Sequence, residues 1–175
     1  MTFFNLALHP SCVTLAASTV AVMVERSGSE VLLRYDLSDP TDVAWPEAAA
    51  PGRADELWRF TCFELFLVHD NGERYVEFNF SPSGRWAAYA FDGYRSDMAD
   101  LAMRREPIVT RIRGGVDVVC PIDDLPRGDF RMGLSAVIKQ TDGTKSYWAL
   151  AHAPGPPDFH NPACFTATLP PPPGA

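Results

Sequence analysis

The chain is 175 residues long and 46% apolar, with 15 Lys and Arg against 22 Asp and Glu for a formal charge of −7, and it carries 16 prolines. That length favours one domain with a core large enough to need neither disulfides nor a structural metal, and the acidic balance with scattered cations excludes a general affinity for nucleic acid or anionic membrane. Proline at about 9%, where about 5% is usual, breaks helices and collects at strand ends and turns, so the composition favours an all-β domain with many connections.

In chain order, residues 19–25 and 30–37 are β-branched or alternating runs joined by Ser27-Gly28-Ser29, a hairpin pattern. Residues 39–55 hold Pro40, Pro46, Pro51 and Gly52 and read as a long loop. Three strands are predicted within 61–91. Ser96 is placed to cap one short helix through Met98, Leu101 and Ala102, ending before Pro107. Residues 108–112 and 116–122 flank Gly114-Gly115, and 130–140 and 145–151 flank Asp142-Gly143, two more hairpins. A Pro-rich loop over 154–162 precedes a last strand over 165–169, and the tail 170–175, Pro-Pro-Pro-Pro-Gly-Ala, is expected to be extended and loose. The expected architecture is an antiparallel jelly-roll-like β-sandwich in a single domain over 1–169, with at most one short helix.

Residues 1–24 carry no Lys or Arg, and Asn5, His9, Pro10, Ser11 and Thr14 interrupt their apolar run, so no secretory signal is read there. No stretch reaches the ~18 apolar residues of a membrane helix. Cys12, Cys62, Cys120 and Cys164 are widely spaced with no CxxC pair, and are expected to be reduced and mostly buried in a cytoplasmic protein.

The segment 61–91 can be read face by face. Asn71-Gly72 as a two-residue turn pairs Glu64 with Asn79 and Phe66 with Glu77. A second two-residue turn at Ser83-Gly84 would set Asn79 opposite Ala88, Glu77 opposite Ala90 and Ser81 opposite Trp86. One face then carries Phe63, Leu65, Leu67, Val76, Phe78, Phe80, Ala87, Tyr89 and Phe91, which is core. The other holds Glu64, Glu77 and Asn79 over small Ala88 and Ala90, beside Phe66 and Trp86. Acceptors over alanines leave a depression with an aromatic wall, a ligand face. The same pattern also describes a packed layer in which Glu64 and Glu77 pair with Arg59, Arg85 or Arg95.

The run Leu57-Trp58-Arg59-Phe60-Thr61-Cys62-Phe63-Glu64-Leu65-Phe66-Leu67, followed by Tyr75-Val76-Glu77-Phe78-Asn79-Phe80, resembles the DOMON-like superfamily and, within it, the family 9 carbohydrate-binding modules. Trp58 stands six residues before Glu64, and the late turn 141–145 leads through Ser146 and Tyr147 to a second tryptophan, Trp148. With residues 78–86 and 157–162, the pattern is most similar to bacterial stand-alone DOMON-like proteins. The resemblance implies a β-sandwich that binds a sugar or, in DOMON domains generally, haem. Carried over by motif, Trp58 and Trp148 would be aromatic walls, Glu64 the acceptor and Asn79 a further polar contact. The candidate ligand residues are thus Trp58, Glu64, Glu77, Asn79, Trp86, Trp148 and His152. Phe60-Thr61 stands where the family commonly has an acidic pair, which departs from the pattern.

His152 and His160 lie eight apart in a Pro-rich loop, not a metal-ligand spacing, and no metal is assigned. A haem would need an axial pair such as Met98 or Met103 with His152 or His160; Met98 with His152 is the candidate pair. Otherwise His160 and Asp158 are expected to tie their loop down. Glu64 and Glu77 as diagonal neighbours are within the range of glycosidase carboxyl pairs, but no nucleophile with a His and an acid can be singled out. The reading is a small-molecule, sugar-binding domain without catalysis and without a resident cofactor; a haem module, and a structural or protein-interaction domain, are the alternatives.

Overall fold

The computed structural model describes residues 1–13, 17, 19–69 and 72–170. Among these, thirteen strands follow the chain: β1 (Thr2–Leu8), β2 (Val20–Ser27), β3 (Glu30–Leu37), β4 (Gly52–Arg53), β5 (Cys62–His69), β6 (Tyr75–Phe80), β7 (Arg85–Phe91), β8 (Ala99–Asp100), β9 (Ile108–Ile112), β10 (Gly115–Pro121), β11 (Phe130–Lys139), β12 (Lys145–Ala149) and β13 (Ala167–Thr168). Two single 3-10 turns, Leu57–Arg59 and Pro162–Cys164, are the helical content of the described residues. No helix among them is long and apolar enough to cross a membrane.

The strands form one path, β4-β7-β6-β5-β11-β12-β1-β2-β3-β10-β9, with β13 on β11 and β8 on β7. Strand β1 joins the two halves: residues 2–6 pair with β2, while Ala7 and Leu8 pair with Ala149 and Trp148 of β12. The sheet curls into a half-barrel, so residues of β2, β3 and β10 such as Val22, Leu33 and Val118 share one core with Phe63, Leu65, Phe78 and Leu134 of β5, β6 and β11. Tyr35 crosses that core and its hydroxyl donates to the Glu64 carbonyl at 2.6 Å. The all-β expectation holds. The strand path is one curled sheet rather than the two sheets of a jelly roll, and it includes one parallel pair, β4 with β7.

The first hairpin of the 61–91 segment has the expected register, with Glu64 opposite Asn79 and Phe66 opposite Glu77. The turn residues Asp70 and Asn71 lie outside the described residues, as do 171–175 of the tail. The second hairpin differs by one residue: Asn79 faces Ala87, Glu77 faces Tyr89 and Phe80 faces Trp86. The cause is Pro82. Proline cannot donate to a ladder, so it is expelled into a three-residue loop, Pro82-Ser83-Gly84. Ser81 closes that loop by donating its amide to the Arg85 carbonyl at 2.9 Å, while the Gly84 amide returns to the Ser81 carbonyl at 3.0 Å. Gly84 has φ +92°, which suits glycine at the end of such a loop. A one-residue slip exchanges the two faces of β7.

The helix expected after Ser96 is absent. Arg95 and Asp97 both take left-handed φ, 52° and 53°, which no right-handed helix tolerates. Residues 99–100 instead form β8 against Tyr89 and Ala90. With β4 opposite Arg85 and Trp86, β8 covers the free edge of β7. The Arg53 guanidinium links both additions, donating to the Ala88 carbonyl at 3.1 Å and to the carboxylates of Asp55 and Asp100. The first strand, β1, was not among the expected elements.

Candidate functional site: a cleft floored by two buried carboxyls

The strands β5, β6, β7, β11 and β12 have a second face, away from the main core. Cys62, Phe66, Val68, Tyr75, Ala87, Tyr89, Phe91, Val137 and Ala149 form a separate apolar cluster there. The Leu57–Arg59 turn and the loop around Phe159 fold over it. Together they leave a cleft of about 780 Å³. Glu64 and Glu77 line its floor, and Tyr89, Phe91, Tyr147 and Phe159 stand around them with Trp58 at the side.

The wall residues owe their positions to local chain chemistry. Leu57 is buried and anchors the 3-10 turn, so the next side chain, Trp58, is turned outward and is 47% exposed. Glu56, before the turn, has φ 58° and pairs with Arg59 at 2.7 Å. Glu56 and Arg95 are two non-glycine residues in the left-handed region, and both line the cleft. Such backbone persists where surrounding contacts fix it and is common at binding sites.

The floor is polar and buried. Glu64 is 3% exposed and Glu77 5%. Ser135 donates to Glu64 Oε2 at 2.8 Å, and the Asn79 amide to Glu77 Oε1 at 2.8 Å. The Arg95 amide donates to the Tyr75 hydroxyl at 3.2 Å, and that hydroxyl is hydrogen-bonded to His160 Nδ1 at 2.8 Å. His160 Nε2 faces Glu77 Oε2 at 3.6 Å. The Arg95 guanidinium is held by Asp158 at 2.8 Å, with Tyr94 also donating to Asp158.

Burial first, and then the charge of Glu77, push the Glu64 carboxyl well above the ordinary range, against the pull of Ser135 and Arg95. Burial likewise pushes Glu77 up, against Asn79 and Arg95. Adjacent buried carboxyls do not readily ionise together, so their protons leave in two steps that belong to the pair. His160 is held down to about 4 by burial and by the Arg95 charge, and is neutral at pH 7. Burial also raises the Cys62 thiol, with Glu64 and Glu77 adding to the effect, so it stays protonated.

Of the residues singled out from sequence, Trp58, Glu64 and Glu77 line the cleft, and Asn79 lies beneath it holding Glu77. Trp86 and Trp148 do not. Both are 4% exposed and pack in the main core on the opposite face. Trp86 is there because of the Pro82 slip, and Trp148 because its strand turns Tyr147, its neighbour, to the cleft. His152 is bonded to the Ala7 carbonyl at 2.8 Å and packs edge-on to His9, outside the cleft lining. Met98 lines the cleft and His152 does not, so the proposed axial pair is not assembled. Neither glutamate forms an ion pair with Arg59, Arg85 or Arg95 among the described residues; Arg59 and Arg95 are taken by Glu56 and Asp158. Asp158 ties its loop down as expected, through Arg95 and Tyr94 as well as the His160 amide at 3.3 Å. Tyr89, Phe91, Tyr147, Phe159, Arg95 and His160 are among the cleft residues not singled out from sequence as ligand contacts. Pro82 was the available signal for Tyr89 and Phe91; only folding brings the other four in.

No family model and no curated protein matches the chain. The fold is similar to the crystal structure of a "putative carbohydrate-binding protein" from Bacteroides uniformis ATCC 8492, with a TM-score of 0.62 and 18% sequence identity over 96% of this chain and 85% of that one. At that identity the likeness is one of fold.

Proposed function

We propose that residues 1–169 form a single DOMON-like binding domain that holds a carbohydrate or sugar-like small molecule in the Glu64–Glu77 cleft without turning it over. The observation that carries this reading is the pairing of buried acceptors with aromatic walls. Sugar rings offer an apolar CH face to aromatic planes and hydroxyl donors at their edges. Trp58, Tyr89, Phe91, Tyr147 and Phe159 supply planes, and Glu64 and Glu77 supply acceptors. The name of the structural neighbour supports the same ligand class. Relative to the family pattern, Tyr147 takes the place proposed for Trp148. On this reading the glutamates hydrogen-bond the ligand's hydroxyls.

The test is thermal shift against mono- and disaccharides. A sugar near ~100 times its Kd stabilises by about 2.7 kcal/mol, roughly 5 °C or more for a chain of this size. Trp58→Ala and Glu64→Ala should each cut the shift, a tenfold loss of affinity taking it to about 1.4 kcal/mol at the same sugar concentration. No stabilising sugar, or stabilisation that both substitutions leave undiminished, would sink the site.

A further inference from the structure

The charge balance of the cleft narrows the ligand further, resting on the sugar-binding reading above. Acidic side chains at its edge are ion-paired: Asp55 and Asp100 share the single charge of Arg53, and Glu56 pairs with Arg59. Arg95 is spent on Asp158. The two floor carboxyls have no such partner among the described residues. Glu64 receives a hydrogen bond at Oε2 from Ser135, and no donor among the described residues reaches its Oε1. Glu77 receives one from Asn79 and otherwise faces a neutral imidazole at 3.6 Å. An unfilled carboxylate oxygen that is almost wholly buried, lining an open cleft, is a receptor for a donor brought by a ligand.

The groups facing the pair settle which donor. Cys62 from β5, Tyr75 from β6 and Tyr89 from β7 are neutral, as is His160; the Arg95 guanidinium, paired with Asp158, also lines the cleft and draws both carboxyls toward ionisation. Lys145 stands near Trp58, its Nζ 6.0 Å from the ring centroid, while the floor offers two carboxyls that a bound cation can draw into ionised form. Aromatic planes around a carboxyl pair attract a cation twice over, by charge and by their π faces.

We infer that the cleft selects an ammonium-bearing sugar, an amino sugar in its protonated form, with the ammonium seated between Glu64 and Glu77. On binding, the ammonium takes the place of the protons that the two carboxyls hold, and these are released to solvent. Both carboxylates are then ionised around one cation, and no covalent bond changes.

The experiment is isothermal titration of wild-type protein near pH 6.5 with D-glucosamine, D-glucose, N-acetyl-D-glucosamine and, as a non-sugar amine, cyclohexylamine, each in two buffers of different ionisation enthalpy. Glucosamine should bind at least tenfold tighter than the two neutral sugars, with a buffer-dependent enthalpy showing net proton release. Glu64→Gln and Glu77→Gln should each remove the preference and the buffer dependence, while Trp58→Ala weakens all sugars and leaves the preference. The wild-type buffer comparison needs no variant to fold. Neutral sugars binding as tightly as glucosamine would overturn the ammonium assignment and leave sugar binding standing. Cyclohexylamine binding as tightly as glucosamine, with no neutral sugar bound, would overturn the sugar reading and leave the ammonium site standing. Binding by none of the four overturns both.

Discussion

The strands β5, β6 and β7 present two faces that share one backbone and differ in every other respect. Toward the main core lie Phe63, Leu65, Phe78, Phe80, Trp86 and Ala88, and that face is apolar throughout. The reverse face buries aromatic rings as completely, yet places Glu64, Glu77 and Asn79 among them. Burying an ionisable carboxyl opposes folding, whereas burying phenylalanine favours it. The first face therefore holds the sheet together, and the second gives up stability that the first supplies. Polar groups kept against their own cost are the reason for proposing the reverse face as the ligand face.

Substitutions should separate the two faces cleanly. The largest effect is expected on the apolar side. Phe78 is fully buried in the main core, so Phe78→Ala should destabilise by about 3–5 kcal/mol in denaturant unfolding. Next comes a packing contact on the reverse side. A Cβ on Gly133 would lie 2.5 Å from Phe165 Cδ1, and Phe165 is itself stacked on Phe66 at 5.5 Å. Gly133→Ala should thus cost about 1–3 kcal/mol by forcing that ring aside. Measured costs below ~1 kcal/mol at both positions would mean the two clusters are looser than their packing implies.

The difference between the faces was half legible in the sequence. Glu64, Glu77 and Asn79 could be placed together because Asn71-Gly72 marks a tight turn and period two does the rest. The partner strand could not be placed by counting alone: Pro82 lengthened the next turn by one residue and sent Trp86 to the core and Tyr89 to the cleft. Trp148 was taken for a wall on motif resemblance, which does not tell one strand parity from the other. His160, Arg95 and Phe159 lie far along the chain from β5, and only long-range pairing of the 92–97 turn with Asp158 brings them over the floor. The short helix failed because propensity cannot see Arg95 and Asp97 held in left-handed backbone.

The polar face should also announce itself through pH. In the unfolded chain both carboxyls ionise near pH 4. Folded, they keep protons to higher pH, so above pH 4 the folded state binds more protons and stability falls as pH rises through the folded range. His160 acts in the opposite sense. Its imidazole ionises near 6.5 when unfolded and about 4 when folded, so stability also falls as pH drops through that window. The two windows overlap and two carboxyls outweigh one imidazole, so the melting temperature of the free protein should fall from about pH 4 toward pH 8, less steeply below pH 6.5 where His160 opposes, leaving the alkaline limb the steeper one. Glu64→Gln should flatten the alkaline limb, adding on the order of 1 kcal/mol at pH 8 and little at pH 5. An unchanged alkaline limb in Glu64→Gln would mean the carboxyl is better solvated than its 3% exposure implies.

The smallest effect on stability should coincide with the largest on binding, and it lies at Trp58. Half of its surface is open, and Leu57, not Trp58, anchors the 3-10 turn. The Arg59 guanidinium, 5.5 Å from its ring centroid, and the Lys145 ammonium are held loosely over it at the surface. Removing the ring should move unfolding by about 0.5 kcal/mol or less, as for an exposed site. The same ring is the wall at the side of the cleft, so sugar affinity should fall about tenfold or more, the weight of one stacked aromatic contact. Phe78→Ala, if it folds, should show the reverse, with a large loss of stability and affinity little changed. A Trp58→Ala protein that unfolds easily but binds normally would make the tryptophan part of the scaffold and move the ligand site elsewhere on the sheet.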